Sequence, residues 1–126
     1  MKRYTCYLSL GANLGERGET LREALRQLSQ LPETRLLAVS SFYETAPGGK
    51  LDQPAFRNAA AAVTTALPPR QLLHGCQRIE RALGRVRHEH WGARTIDIDL
   101  LHIPGVSLVS PELVLPHPYL TQRAFV

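Results

Sequence analysis

Residues 95–102, Thr-Ile-Asp-Ile-Asp-Leu-Leu-His, alternate polar and apolar side chains in the pattern of a half-buried strand. Ile96, Ile98 and Leu100 fall on one face, whereas Asp97 and Asp99 fall on the other. Same-face neighbours on a strand lie about 6.6–7 Å apart between Cα atoms. The stretch therefore predicts a strand that turns one face to the core and presents two carboxylates on the other.

The chain before this strand alternates between strand and helix patterns. A period of two predicts a strand over residues 4–10, and β-branched and aromatic residues predict strands over 35–45 and 56–65, although the alanines at 59–62 also suit a helix. A spacing of 3.6 predicts helices over 21–31 and 69–83. The order is βαββαβ, which is typical of the ferredoxin-like α+β arrangement with both helices on one face of an antiparallel sheet. The proline-rich residues after the last strand predict C-terminal loops or a hairpin.

Local signals predict where several of these elements begin and end. Gly11 predicts a tight turn after the first strand, and Thr20 with Glu23 predicts a capping box at the first helix. Gly84 is predicted to be the residue just past the end of the second helix. The short hairpin is expected through residues 106–109.

Composition bounds the class of protein before any site is considered. A chain of 126 residues with 44% hydrophobic and 21% charged residues is ordinary for one globular domain. Fifteen basic against eleven acidic residues give a formal charge of +4, which favours an anionic partner. Cys6 and Cys76 are too few for a disulfide framework, and no apolar run is long enough for a membrane span. We expect a soluble, reduced, cytoplasmic protein.

The aspartate pair and the loop before it carry the chemistry. A solvated strand face is the simpler explanation of Asp97 and Asp99, but two like charges on one face favour a cation between them. Residues 85–94 contain three arginines, suited to phosphate, and Trp91, which either covers the core or closes over a ligand. Mg²⁺ with phosphate oxygens is the usual nucleotide arrangement.

Other sites receive weaker support from the sequence. His88, His90 and His117 lack a supporting cysteine pair, so zinc is disfavoured. The glycines at residues 11–15 match neither a P-loop nor a dinucleotide fingerprint. Residues 56–58 put an aromatic ring and an amide on one strand face, which suits a planar heterocycle, although core packing also accounts for the ring.

Taken in order and spacing, these features resemble the 6-hydroxymethyl-7,8-dihydropterin pyrophosphokinase (HPPK) family. The segments that carry the resemblance are 8–15 (LSLGANLG), 40–45 (SSFYET), 52–58 (DQPAFRN), 77–80 (QRIE), 84–100, 115–118 (LPHP) and 123–125 (RAF). The resemblance implies transfer of the β,γ-pyrophosphoryl unit of ATP to the hydroxymethyl oxygen of the dihydropterin, with release of AMP, in folate biosynthesis.

The resemblance also implies roles for individual residues. Catalytic positions match Arg85, Arg94, Asp97 and Asp99, and the two aspartates match the ligands of two Mg²⁺ ions. The positions at the ATP site match Gln77, Glu80, Arg87, Ile98, His117, Tyr119 and Arg123. The positions at the pterin site match Thr45, Phe56, Asn58, Trp91 and Phe125, with the pterin ring between the two phenylalanines.

The expected partners are ATP and 6-hydroxymethyl-7,8-dihydropterin, bound by a monomer that uses neither nucleic acid nor membrane. Phe56 stands where some family members carry tyrosine, a change that keeps the ring. The family continues past the segment at 123–125, so we expect residues 1–126 to form a single HPPK-like domain that lacks the family's C-terminal end.

Two other functions belong to different classes. A non-catalytic nucleotide-binding or small-molecule-binding ferredoxin-like domain would tolerate loss of Asp97 or Asp99. An RNA-binding sheet would need an aromatic motif that no segment of the sequence supplies.

Overall fold

The computed structural model describes residues 2–12, 17–45, 56–84 and 96–118. Two helices and seven strands lie within them: β1 (Tyr4–Ala12), α1 (Arg17–Ser29), β2 (Thr34–Val39), β3 (Tyr43–Thr45), β4 (Phe56–Thr65), α2 (Pro69–Gly84), β5 (Asp97–His102), β6 (Leu108–Val109) and β7 (Val114–Leu115).

The main sheet is antiparallel, in the order β2-β4-β1-β5, with β3 also paired to β4. Both helices pack on one face of it, where α1 contacts β1, β2, β4 and α2, and α2 contacts β5. The remaining two strands, β6 and β7, form a hairpin. The ferredoxin-like α+β prediction is confirmed, including the C-terminal hairpin.

Alternation along β1 divides the sheet into two faces. Cys6, Leu8, Leu10 and Ala12 are at most 1% exposed and form the core beneath the helices, whereas Tyr7 is 44% exposed. We call the face that carries Tyr7, away from the helices, the open face. The predicted apolar stripes of the two helices are the ones that pack against the core side, and they comprise Leu21, Ala24, Leu25 and Leu28 of α1 and Leu72, Leu73, Cys76 and Ile79 of α2.

Two predicted boundaries near the N-terminus are wrong. The first strand does not end before Gly11, because β4 and β5 both pair with that residue and continue it as strand. The helix begins at Arg17 instead of Thr20, so Thr20 is a buried residue inside α1. Glu23 bonds Arg26 and Gln27 instead of completing a capping box, because those side chains are one turn ahead of it.

Three further predictions need correction. Residues 35–45 form two strands, β2 and β3, since at Ser40 the side-chain hydroxyl, instead of a backbone carbonyl, accepts the Ala60 amide at 2.9 Å. Gly84 is the last residue of α2 and is not left-handed. The hairpin pairs Leu108–Val109 with Val114–Leu115, so it starts later than predicted, after a turn at Gly105, whose φ is +80°.

The cysteine prediction is confirmed, since Cys6 and Cys76 are both free and buried. Burial raises the pKa of the Cys6 thiol to about 12, which keeps it protonated and unreactive. Within the described residues, neither helix is long and apolar enough to cross a membrane.

Candidate active site

The aspartate pair lies on β5 as the alternation predicts. Ile98 and Leu100 are 4% and 2% exposed on the core side, whereas Asp97 and Asp99 are partly exposed on the open face. Their Cα atoms are about 6.6–7 Å apart by strand geometry. Two carboxylates this close repel one another, and a cation or a cationic group relieves that repulsion.

Strand register brings Asn58 into line with the first aspartate. Gly11 pairs with Asn58 on one side and with Asp97 on the other, so the three residues form one row across β4, β1 and β5. Two strand spacings place the outer Cα atoms about 9–10 Å apart. Because glycine has no side chain, the row has a gap between the amide and the carboxylate.

The next row along the sheet is formed by Ala60, Ser9 and Asp99. Ser9 is 4% exposed. Small residues, Gly11 and Ser9, therefore stand beside both carboxylates. A ligand on this face could contact Asn58 and the aspartate pair together.

Three of the residues assigned to the pterin site meet at one end of the sheet. The backbone of Thr45 pairs with that of Phe56, and Asn58 follows two residues later on the same strand and pairs with Tyr43. Asn58 is 8% exposed, so its amide is a buried polar group. A buried amide both donates and accepts hydrogen bonds, which suits the edge of a planar heterocycle.

A cavity of about 220 Å³ opens between β5, α2 and the β6–β7 hairpin. Its walls include Leu73, Ile98, Leu100, Leu113 and His117, and Asp99 lies at its edge. The cavity therefore combines apolar walls with a carboxylate that also faces the open sheet. This is where the structure places Ile98 and His117, two residues assigned to the ATP site.

Hydrogen bonds fix the hairpin side of this cavity. The His117 amide donates to the Leu101 carbonyl at 2.8 Å. Glu112 bridges the hairpin to α2, with Oε2 at 3.1 Å from His74 Nε2 and Oε1 at 3.1 Å from Arg70 Nε. These contacts lower the pKa of Glu112, the His74 hydrogen bond contributing most.

Glu80 and Gln77 both lie on α2 and are partly buried. The Glu80 carboxylate accepts the backbone amide of Ile98 at 2.7 Å, which ties α2 to the peptide between the two aspartates. This bond was not predicted, because nothing local in either segment indicates that they meet.

The remaining predicted site residues lie outside the described residues: Arg85, Arg87, Trp91, Arg94, Tyr119, Arg123 and Phe125. In the ranges that are described, no group of three or more His, Cys, Asp or Glu side chains is placed to hold a metal ion. Of the three histidines considered and disfavoured as zinc ligands, His117 is described, and it lines the cavity.

The sequence also left some residues of the site unassigned. Leu73 and Leu100 were predicted as core residues and Leu113 was not assigned, yet all three line the cavity that contains Asp99. Gly11 was predicted in a turn, yet it separates Asn58 from Asp97. Matching the apolar faces of neighbouring strands would have reduced the number of possible strand registers. It would not have selected one, because register is not encoded by one strand alone.

The fold and site together define a class: a small α+β enzyme that carries a carboxylate pair on the sheet face away from its helices, beside an apolar cavity. Comparison with known proteins places the chain within that class. The family model described as 7,8-dihydro-6-hydroxymethylpterin-pyrophosphokinase (HPPK) matches residues 7–126, and the chain belongs to this family.

Individual relatives agree with the family match. The chain is 47% identical over 120 residues to the 2-amino-4-hydroxy-6-hydroxymethyldihydropteridine pyrophosphokinase of Methylorubrum extorquens, covering 95% of this chain and 76% of the relative. The enzyme of the same name from Pseudomonas aeruginosa is also 47% identical over 120 residues, covering 95% and 74%. That of Bacillus subtilis is 42% identical over 120 residues, covering 95% and 72%.

Proposed function

We propose that the protein transfers the β,γ-pyrophosphoryl group of ATP to the hydroxymethyl oxygen of 6-hydroxymethyl-7,8-dihydropterin in folate biosynthesis. The observation that carries this proposal is the row formed by Asn58, Gly11 and Asp97, which brings the pterin-site strand into register with the aspartate strand. The family and its named relatives support the same reaction and do not favour the non-catalytic alternative.

The acceptor side of the site is formed by the end of β4 and its neighbours. In our proposal the pterin ring lies against Phe56, and the Asn58 amide reads its hydrogen-bonding edge. Thr45 pairs with Phe56 in the sheet. We also assign Trp91 and Phe125 to the pterin site, because they match pterin-site positions of the family. This places the hydroxymethyl group toward Gly11 and the aspartates.

The nucleotide side is formed by the cavity next to β5. We place the nucleoside of ATP against Ile98 and His117, where apolar walls adjoin Asp99. The phosphates then extend along the open face toward Asp97. The other residues proposed to contact ATP are Gln77, Arg87, Tyr119 and Arg123, whereas Glu80, which the resemblance matches to the same site, accepts the Ile98 amide.

The donor set fits magnesium. Asp97 and Asp99 supply hard carboxylate oxygens, and Mg²⁺ is commonly held by one or two carboxylates with phosphates and water completing the shell. We propose two ions, held by Asp97 and Asp99; when bound, such ions neutralise phosphate charge and template the displacement.

The residues of the chain would then act by position and charge. A bond forms between the hydroxymethyl oxygen and the β-phosphorus, the bond from that phosphorus to the α,β-bridging oxygen breaks, and AMP leaves with that oxygen. The hydroxyl proton is lost to water. Arg85 and Arg94 are proposed to stabilise charge on the phosphates, which is the main form of catalysis in phosphoryl transfer.

Product analysis tests the proposal directly. Purified protein is incubated with ATP, Mg²⁺ and the hydroxymethyl-dihydropterin, and AMP is expected in equal amount with the pterin diphosphate. Asp97→Asn should abolish both products, while Glu33→Gln, which removes a charge from a side chain 68% exposed at the other end of the sheet, should not. Formation of ADP, or full activity of Asp97→Asn, would contradict the proposal.

We further propose a cytoplasmic monomer that uses neither nucleic acid nor membrane. The two buried free thiols support a reducing compartment. Light scattering at working concentration tests the oligomeric state, and a mass near twice 14.0 kDa would contradict it.

A further inference from the structure

Glu80 contacts the peptide group that joins Asp97 to Ile98, the residue between the two aspartates. Its Oε2 atom accepts the Ile98 amide at 2.7 Å, and the residues on either side of Ile98 are Asp97 and Asp99. A hydrogen bond to an ionised carboxylate is roughly twice as strong as a neutral one. The bond therefore holds the backbone of the carboxylate pair to a helix of the core.

The position of β5 in the sheet gives this bond its importance. In the order β2-β4-β1-β5 the strand has a paired neighbour only on the β1 side within the described sheet. There Gly11 and Ser9 are in register with Asp97 and Asp99. Glu80 supplies a partner on the other side, so the peptide between the aspartates is held from both directions.

Packing of the surrounding residues fixes both ends of the contact. The Ile98 side chain is 4% exposed in the core, and Cys76, one turn before Glu80 on α2, is fully buried. Burial raises the pKa of the Cys76 thiol, and the charges of Cys6, Glu80 and Asp99 raise it further.

We propose that Glu80 is a positioning residue that sets the geometry of the Asp97 and Asp99 carboxylates for magnesium by holding the Ile98 amide. This inference rests on the proposed function. It deepens that function, because Glu80 works through the backbone of the metal-binding strand and not through contact with the nucleotide. Outer-shell partners of this kind typically change metal affinity or activity by about 10–100-fold when removed.

Paired substitutions test the hydrogen bond. Glu80→Ala removes the acceptor, and Glu80→Gln keeps an amide oxygen that accepts from Ile98. We expect the Mg²⁺ concentration for half-maximal AMP formation to rise about 10–100-fold in Glu80→Ala. Glu80→Gln should recover most of that loss, and the KM for ATP at saturating Mg²⁺ should change little in both; Glu33→Gln serves as the matched control for charge.

Three outcomes would overturn the proposal. If Glu80→Gln is as impaired as Glu80→Ala, the charge of Glu80 matters and not its acceptor oxygen. If the KM for ATP rises while the Mg²⁺ requirement stays constant, Glu80 contacts the nucleotide. If only the melting temperature falls, the bond is structural and does not position the carboxylates.

A second measurement needs no turnover. Hydrogen exchange of the Ile98 amide, followed by NMR in the metal-free protein, should accelerate in Glu80→Ala and stay slow in Glu80→Gln. Mg²⁺ binding measured by calorimetry should weaken in the same order. Failure of the wild-type protein to form AMP would overturn the proposed function, whereas unchanged Ile98 exchange in Glu80→Ala would overturn this inference alone.

Discussion

The two faces of the main sheet are formed by the same strands but have opposite compositions. The face under the helices is filled by Leu8, Leu10 and Ile98, each at most 4% exposed. The open face carries Asn58, the aspartate pair and a stacked pair of rings, Tyr7 and His102, with centroids 6.2 Å apart. Because adjacent residues on a strand point to opposite faces, a residue that stabilises the core is followed directly by one that faces the candidate site.

This separation has a consequence for mutagenesis. Substitutions on the helix side should reduce the free energy of unfolding and spare the activity of the molecules that remain folded. Substitutions of Asp97 and Asp99 on the open face should reduce activity and leave the free energy of unfolding nearly unchanged. The open face also bears an apolar groove of about 700 Å³ lined by Tyr7, Ala62, Leu101 and His102, so its character is not uniformly polar.

Among the substitutions that compare the two faces, the largest effect is expected at the second aspartate. Asp99→Asn keeps the size of the side chain and removes a charge that we assign to magnesium, so AMP formation should fall about 10²–10³-fold. The melting temperature should stay close to that of the wild type, because Asp99 is partly exposed. Steady-state kinetics and thermal melts measure the two quantities. A large fall in melting temperature would contradict the separation of activity and stability between the two faces.

The opposite result is expected in the core. Leu10→Ala should lower the free energy of unfolding by about 2–5 kcal/mol, since Leu10 is 1% exposed and its loss leaves a cavity. Leu37→Ala is the matched control, because Leu37 is 53% exposed and should change stability by less than about 0.5 kcal/mol. Urea unfolding gives both values. A large loss of activity per folded molecule in Leu10→Ala would show that the two faces of the sheet are coupled.

A smaller change is expected from filling the gap at Gly11. Gly11→Val puts a branched side chain on the open face between Asn58 and Asp97, in the row that we assign to the acceptor. The KM for the pterin should rise at least about tenfold, the lower end of the effect of one extra methylene group in a pocket. Gly84→Ala is the control, since a Cβ there meets nothing within 4 Å, and it should leave the KM unchanged.

The smallest effect concerns the contact between the hairpin and α2. The lowered pKa of Glu112 stabilises the folded state only while the carboxylate is ionised, so its contribution is present above the ordinary value of 4.5 and is lost as the pH falls further. Glu112→Gln should therefore melt slightly below the wild type at pH 6, and the difference should shrink at pH 3. A difference that grew on acidification would contradict this assignment.

Much of the fold followed from local pattern. The alternation in β5 and the 3.6-residue spacing in both helices predicted which side of each element is buried, because burial of an apolar stripe is what stabilises such an element. Element ends were less predictable. Thr20 had the chemistry of a cap, but Glu23 found partners in Arg26 and Gln27, and the helix extends one turn further.

Likewise, the strand break at Ser40 depends on tertiary contacts. Ser40 bonds Ala60 through both its amide and its hydroxyl, and the neighbouring strands β2 and β3 pair with different parts of β4. The sequence of residues 35–45 alone contains no information about the contact with Ala60. The division into two strands is therefore a property of β4 as much as of the segment itself.

By itself, the sequence determined the alternation of elements, the buried face of each one and the projection of Asp97 and Asp99 from the same side of a strand. Only the tertiary structure decided that Asn58 is in register with Asp97 across Gly11, and that Glu80 holds the peptide between the aspartates. The physical reason is that periodicity is a property of one segment, whereas register and helix-to-strand contact depend on backbone groups that every residue carries. Those groups acquire specific partners only when the whole core packs.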